Sequence, residues 1–467
     1  MVVKTTQLKV SSVSISELSG SSYRFDAEFY GPDARHARDL IRNLDCEKVG
    51  LTDKLFVESA TYPLRFKRNY VSKDVGDPFL LPSQVTEILP LPYKWIIPET
   101  DELKSELLID EGDILLTRSG SVGKCSIANN SFVGSLLSDD LIRIKPKAEY
   151  RGLIFTFLTS EIGQTLLSTS PYGAVIKHLE PEHLEHILIP IPEKPIVKKI
   201  NELVETALAD IDKSNVLISR SKSLLLESLN LSTLSSLHDG KMQMFLVEDL
   251  WPHVRMDGSF HNPLVNLIEK HFKKCGISTL PLGDDRISEE IILPGRFRRV
   301  YVESDYGVPL IGGKQILNLD PRTEKFLALL EHADRVKEEL EIKENQVLVT
   351  CSGTIGKVTL APSFWSGWAA SQHILRIQAK DELMSAYIYA WLSSEFGRLL
   401  IERFTYGAVV DEITDIQLAE VLIPILEESA IKEIAEPILL ANRLRTKAFL
   451  GFQEASKVLD SVLYENS

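Results

Sequence analysis

Apolar positions along the chain predict two long helices. Val197, Ile200, Val204, Ala207, Ile211, Ile218 and Leu225 recur at spacings of three, four or seven. Ile431, Ile434, Ile438, Ala441, Leu444, Ala448, Phe452, Ala455, Leu459 and Val462 do the same near the other end. One apolar seam with polar flanks is the pattern of a helix that packs on another helix. Residues 194–231 would span roughly 55 Å at about 1.5 Å per residue. Short β-branched runs predict strands at Ile114–Thr117, Leu141–Ile144 and Leu188–Ile191. Ile154–Leu167 and Ala386–Ile401 read as amphipathic helices.

The same pattern occurs twice. Arg24-Phe25-Asp26 returns as Arg255-Met256-Asp257, Arg65-Phe66-Lys67-Arg68 as Arg296-Phe297-Arg298-Arg299, and Tyr70-Val71 as Tyr301-Val302. Pro78 with Gln84 returns as Pro309 with Gln315. All are 231 positions apart. Glu111–Lys124 matches Glu344–Lys357 at an offset of 233. Ser160-Glu161-Ile162-Gly163, Tyr172-Gly173-Ala174-Val175 and Leu188–Ile191 match Ser394–Gly397, Tyr406–Val409 and Leu422–Ile425 at 234. A drift of three over a whole repeat leaves room only for small loop insertions, so the chain holds two copies of one unit. The segmentation expected is a first domain over 1–193, a first long helix region over 194–238, a second domain over 239–427 and a second helix over 428–467.

Composition narrows the class. The 467 residues suffice for two domains with real cores, and 44% hydrophobic with 25% charged is globular. No run approaches the roughly 18 apolar residues of a membrane span, and MVVKTTQLKV lacks a signal-peptide core. The expected location is therefore cytoplasmic. Cys46, Cys125, Cys275 and Cys351 show no zinc spacing and read as free thiols. A net charge of −14 excludes a general nucleic-acid sponge. A sequence-specific reader remains open if its cations cluster on one face.

Candidate chemistry lies at matched places in the two copies. The basic runs Arg65, Lys67, Arg68 and Arg296, Arg298, Arg299 suit phosphates or guanine edges. Against this stands a solvated loop. Gln84 and Gln315, the latter beside Lys314, are candidate adenine readers, since a carboxamide matches adenine's donor–acceptor pair. The turns after Ile114–Thr117 and its twin carry Arg118, Ser119, Lys124 and Ser352, Thr354, Lys357. They fail as Walker loops, having two rather than four residues between glycines and no following Ser or Thr. Either the fold alone requires these turns, or their amides and lysines touch DNA phosphate. Tyr172 and Tyr406 could face core or DNA. Lys177, a further candidate DNA contact, and His178 follow the first, Asp411 and Glu412 the second; this suits copies that read different sequences, and drift alone would give the same. His178, His183 and His186 lack a metalloprotease pattern. No methyltransferase tetrapeptide, dinucleotide loop, helicase loop or nuclease motif occurs, so no catalytic residue, cofactor or metal is expected.

The ordered set, found twice, resembles the specificity (S) subunit of Type I restriction–modification systems. The resemblance covers nearly the whole chain. It rests on the T-x-S-G-x-x-G-K-like turn, the Tyr-Gly-Ala-hydrophobic segment, the Ile-Pro exit and the long helix of each copy. It implies an α+β (mixed) fold: two tandem α/β target-recognition domains and two long antiparallel coiled-coil helices, with pseudo-two-fold symmetry. It further implies a non-catalytic reader of a bipartite, asymmetric site on double-stranded DNA. Two DNA methyltransferase (M) subunits would dock on it, with a restriction/translocase subunit joining for cleavage. Similar subunits serve in methylation-dependent phage defence. The other reading is an S-like scaffold or inhibitory protein that binds proteins rather than DNA.

Overall fold

The structure is a computed structural model, and it describes residues 12–20, 25, 27–90, 92–169, 178–232, 255–321, 325–407 and 410–464. The chain forms two compact units. One comprises Met1–Asp212 with Ala448–Ser467; the other is Lys213–Lys447.

The first unit opens with helices α1 (Ile15–Gly20) and α2 (Pro32–Asn43), then strands β1 (Glu47–Gly50), β2 (Val57–Thr61), β3 (Tyr70–Val71), β4 (Asp77–Leu80) and β5 (Trp95–Ile96). Helix α3 (Asp101–Leu107) precedes β6 (Ile114–Thr117), β7 (Cys125–Ile127), β8 (Leu136–Leu137) and β9 (Leu141–Pro146). Helices α4 (Arg151–Thr159), α5 (Glu161–Thr169) and α6 (Pro181–Leu184), strand β10 (Leu188–Ile191) and the long helix α7 (Lys194–Ser228) follow. Three sheets result: β2-β9-β6-β7, β3-β5-β4-β8 and the pair β1-β10. Strands β6 and β9 bury side chains on both faces, which is why they read as unbroken apolar runs.

The second unit repeats this topology. Helix α8 (Pro263–Cys275) leads to β11 (Ser278–Pro281), β12 (Ser288–Ile292), β13 (Tyr301–Val302), β14 (Gly307–Ile311) and β15 (Phe326–Ala328). Helix α9 (Leu329–Arg335) precedes β16 (Val347–Thr350), β17 (Val358–Leu360), β18 (Ala369–Ala370) and β19 (Ile374–Ala379). Then come α10 (Glu382–Leu392), α11 (Glu395–Glu402), α12 (Asp415–Ala419), β20 (Leu422–Ile425) and the long helix α13 (Glu428–Tyr464). The sheets are β12-β19-β16-β17, β13-β15-β14-β18 and β11-β20. A buried arginine recurs between the sheets: Arg143 donates to the Leu108 carbonyl at 2.6 Å, and Arg376 to that of Glu341 at 2.7 Å.

The long helices are shared, and the boundary between units falls inside both. In the first unit, Val197, Ile200, Val204 and Leu208 join one core with Leu153, Phe157, Ala455 and Leu459. In the second, Ile218 and Leu225 join Tyr387, Trp391, Ile434 and Ile438. The seams therefore bury against a recognition unit as well as against a helix.

The helices expected at Ile154–Leu167 and Ala386–Ile401 are each two helices. Ser160 caps the second of one pair through Gly163 N–H (3.1 Å), and Ser394 does so through Gly397 N–H (3.1 Å). At each glycine a Cβ would lie 1.9 Å from the Phe157 carbonyl oxygen or 2.1 Å from that of Trp391. Nor is α4 amphipathic: Gly152–Leu158 are all buried.

Candidate functional site

The Ser-Gly turns are closed from within. The Thr117 hydroxyl donates to the Ser121 carbonyl and accepts from Lys124 N–H at 2.9 Å. Thr350 does the same with the Thr354 carbonyl and Lys357 N–H (2.9 Å). Gly123 and Gly356 N–H donate back to Thr117 and Thr350 carbonyls, and Gly353 N–H donates to Asp411. Gly120, Gly123, Gly353 and Gly356 have φ between +74° and +87°, which a side chain would strain. The amides of Gly123, Lys124, Gly353, Gly356 and Lys357 are thus spent on holding these turns. Lys124 and Thr354 are exposed; Ser352 and Lys357 are half-buried.

Around the first turn the structure gathers charge. Arg118 donates to the Glu180 carboxylate and lies 4.1 Å over the Tyr62 ring. Burial works against its charge, but the bond to Glu180 outweighs that and holds its pKa above the usual value. Ser119 Oγ donates to Asp140 at 2.9 Å. Arg68 is bound by Asp139 and lies 3.4 Å from Asp140. Desolvation of Arg68 is outweighed by hydrogen bonds with Asp139 and Tyr70. Arg65 and Lys67 are exposed. The turn is fastened by a bridge between Ser119 and His178.

The matching place in the second unit has different chemistry. Cys351 stands where Arg118 does, His373 replaces Asp140, Glu412 replaces His178 and Thr414 replaces Glu180. The backbone relations persist: Arg118 N–H donates to Asp140, Cys351 N–H to His373, and Ser352 bridges Glu412. Burial, then Glu412, pushes the Cys351 thiol up to about 12, so it is inert. Burial and then Arg299 push His373 below its usual pKa, keeping it neutral at pH 7. Arg296 pairs with Glu412 at 3.1 Å and is still 80% exposed. Arg298 is exposed beside a hollow of about 380 Å³ lined by Phe297, Leu330, His332 and Arg335. Lys314 is exposed, and Tyr406, 42% exposed, pairs its backbone with Glu412.

Gln84 and Gln315, the candidate adenine readers, both bond to their own backbone. Gln84 is fully buried and its Oε1 accepts from Leu81 N–H at 3.1 Å. Gln315 accepts from Gly312 N–H (2.9 Å) and donates to the Pro321 carbonyl (2.7 Å). Each carboxamide closes a turn at a strand end. Tyr172 and Lys177 lie outside the described residues. Of the three nearby histidines, His183 accepts from Glu180 N–H at 3.0 Å and caps α6.

Sequence reasoning missed Tyr62, Asp139, Asp140, Glu180 and His373, and marked Glu412 only as a difference between the copies. The signal existed. Residues flanking a repeated motif but differing in charge between the copies, such as Asp140 and His373, could have been extracted from the offset alone.

The family model described as the Type I restriction modification DNA specificity domain matches residues 61–219 and again 303–438. No curated protein matched the sequence. Among solved structures, the S subunit of the Type I restriction–modification system from M. genitalium is 11% identical, over 91% of this chain and 96% of that one, with a TM-score of 0.31. The HsdS subunit from Thermoanaerobacter tengcongensis is 12% identical, over 90% and 97%, with a TM-score of 0.28. With the specificity domain matched twice over most of its length, the chain belongs to the family of Type I restriction–modification DNA-specificity (S) subunits.

Proposed function

We propose that each unit reads one part of a bipartite, asymmetric DNA site, and that the long helices dock two methyltransferase subunits. One observation carries this reading. The two units keep the same strands and hydrogen-bonded turn, but place Arg118, Asp140, His178 and Glu180 in one and Cys351, His373, Glu412 and Thr414 in the other. A shared scaffold with divergent polar groups at one place suits two unlike half-sites. The chain itself is proposed to hold no catalytic group; chemistry on the base belongs to the partner, which must extrude its target nucleotide. Arg65, Lys67, Arg118, Ser119, Lys124, Arg296, Arg298, Arg299, Lys314, Ser352, Thr354, Lys357 and Tyr406 remain candidate contacts.

A second reading, a scaffold that binds proteins, draws on the carboxylates that neutralise Arg68 and Arg296. Selection of random duplex DNA by the full chain with its methyltransferase, followed by sequencing, separates the two. Enrichment of a split motif supports the reader; no enrichment with an intact complex supports the scaffold.

A further inference from the structure

Outside the divergent turn, each unit holds an arginine, a tyrosine and a lysine at the same repeat positions, with the lysine over the tyrosine ring. Lys94 Nζ lies 4.7 Å from the centre of the Tyr70 ring, and Lys325 Nζ lies 5.8 Å from that of Tyr301. Arg299 donates to the Tyr301 hydroxyl at 3.4 Å, and Arg68 stands at the matching position two residues before Tyr70. The three residues of one set are each 231 positions from those of the other.

Strand pairing builds the set. Tyr70 pairs with Ile96 and Tyr301 with Leu327. The lysine two residues earlier is then the diagonal neighbour on the same face of the sheet. The core does not require these side chains. Tyr70 is 48% and Tyr301 42% exposed, and both lysines are exposed. An aromatic ring between two cations in water gains about 0.5–1 kcal/mol per cation–π contact, too little to explain such a set as a stabilising device.

We infer that Arg68-Tyr70-Lys94 and Arg299-Tyr301-Lys325 are matched clamps for the phosphodiester backbone of duplex DNA, which rests on the DNA-reading function proposed above. The reason is the contrast between what the copies keep and what they change. Two unlike half-sites differ in base edges and share only their backbone. Groups identical in both units suit the shared part; groups that differ suit the sequence. Each phenol holds an ammonium over its face, and an arginine stands two residues before it, at the hydroxyl edge in the second unit, so two positive heads and a hydroxyl suit an anion. The clamps are unequal. Arg68 is shared with Asp139, whereas the ion pairs of the described residues give Arg299 no carboxylate. The second clamp therefore carries more of the affinity.

The test is fluorescence anisotropy of the full chain on random-sequence duplex over a range of salt. K94Q with K325Q should lower the slope of log K against log salt by about 1.8, at about 0.9 per phosphate lost, and weaken all sequences alike. Removing two exposed charges elsewhere, K273Q with K274Q on α8, should leave the slope as in the wild type. K325Q alone should cost more affinity than K94Q alone. A wild type with no salt-dependent binding would sink the DNA-reading function itself. A binding wild type whose slope survives K94Q/K325Q would sink the clamps alone, as would a loss matched by K273Q/K274Q.

Discussion

Arg118 donates to the Glu180 carboxylate from the first position of the turn after β6, with both side chains more than four-fifths buried. Its twin position holds Cys351, and the twin of Glu180 is Thr414, which caps α12 through Gln417 N–H at 3.2 Å. One fold position thus carries an ion pair in one unit and an uncharged pair in the other.

Replacing Arg118 by alanine leaves Glu180 buried without its cation. The expected cost is about 2 kcal/mol, in line with a lost charge-assisted bond at a partly buried site. Hydrogen exchange of the β6 and β9 amides should report it, and the second unit should be unaffected.

Asp113 is 3% exposed and accepts from Asp110 N–H at 3.0 Å. Desolvation is the leading influence on it and raises its pKa above the ordinary carboxylate value. A raised folded pKa means that the stability it contributes at low pH is lost as pH climbs through that value. Gln346 does the same job uncharged in the second unit, accepting from Lys343 N–H at 3.3 Å. D113N should therefore gain stability over the wild type between pH 4 and pH 7. A urea-midpoint difference that is the same at both pH values would refute this.

Gly163→Ala and Gly397→Ala each force a Cβ into a backbone carbonyl. Overpacking against backbone that cannot move aside costs roughly 3 kcal/mol or more. Calorimetry should show one unit melting early in each variant. An unchanged melting profile would mean that the serine-capped break between the paired helices is not as tight as described.

Gln84→Met and Gln315→Met should lower stability by about 1–3 kcal/mol, because each removes an acceptor from a backbone N–H. The selected DNA sequence should not change. A changed base at one position of the site would restore the glutamines as readers.

Much of the fold was legible because it repeats. The seams from Val197 to Leu225 and from Ile431 to Val462 carry a 3.6-residue period, and β6, β9 and β10 are β-branched runs bounded by breakers. The break at Ser160 was hidden because α4 is buried all round and so has no polar face to reveal its end. The site was half legible. The basic runs stand out as charge, but whether Arg68 meets Asp139, 71 residues away, depends on sheet pairing that no local pattern encodes. The burial of Gln84 was not legible, because a buried carboxamide that closes a turn and an exposed one look alike in sequence.

The most direct test of the account is selection from random duplex DNA by the wild-type chain and by H373D, each with the partner methyltransferase. H373D gives the second unit the carboxylate that Asp140 supplies in the first. The account predicts two unlike specified blocks separated by an unread spacer, with only one block altered in H373D. A single block, a palindrome, or changes spread over both blocks would contradict it.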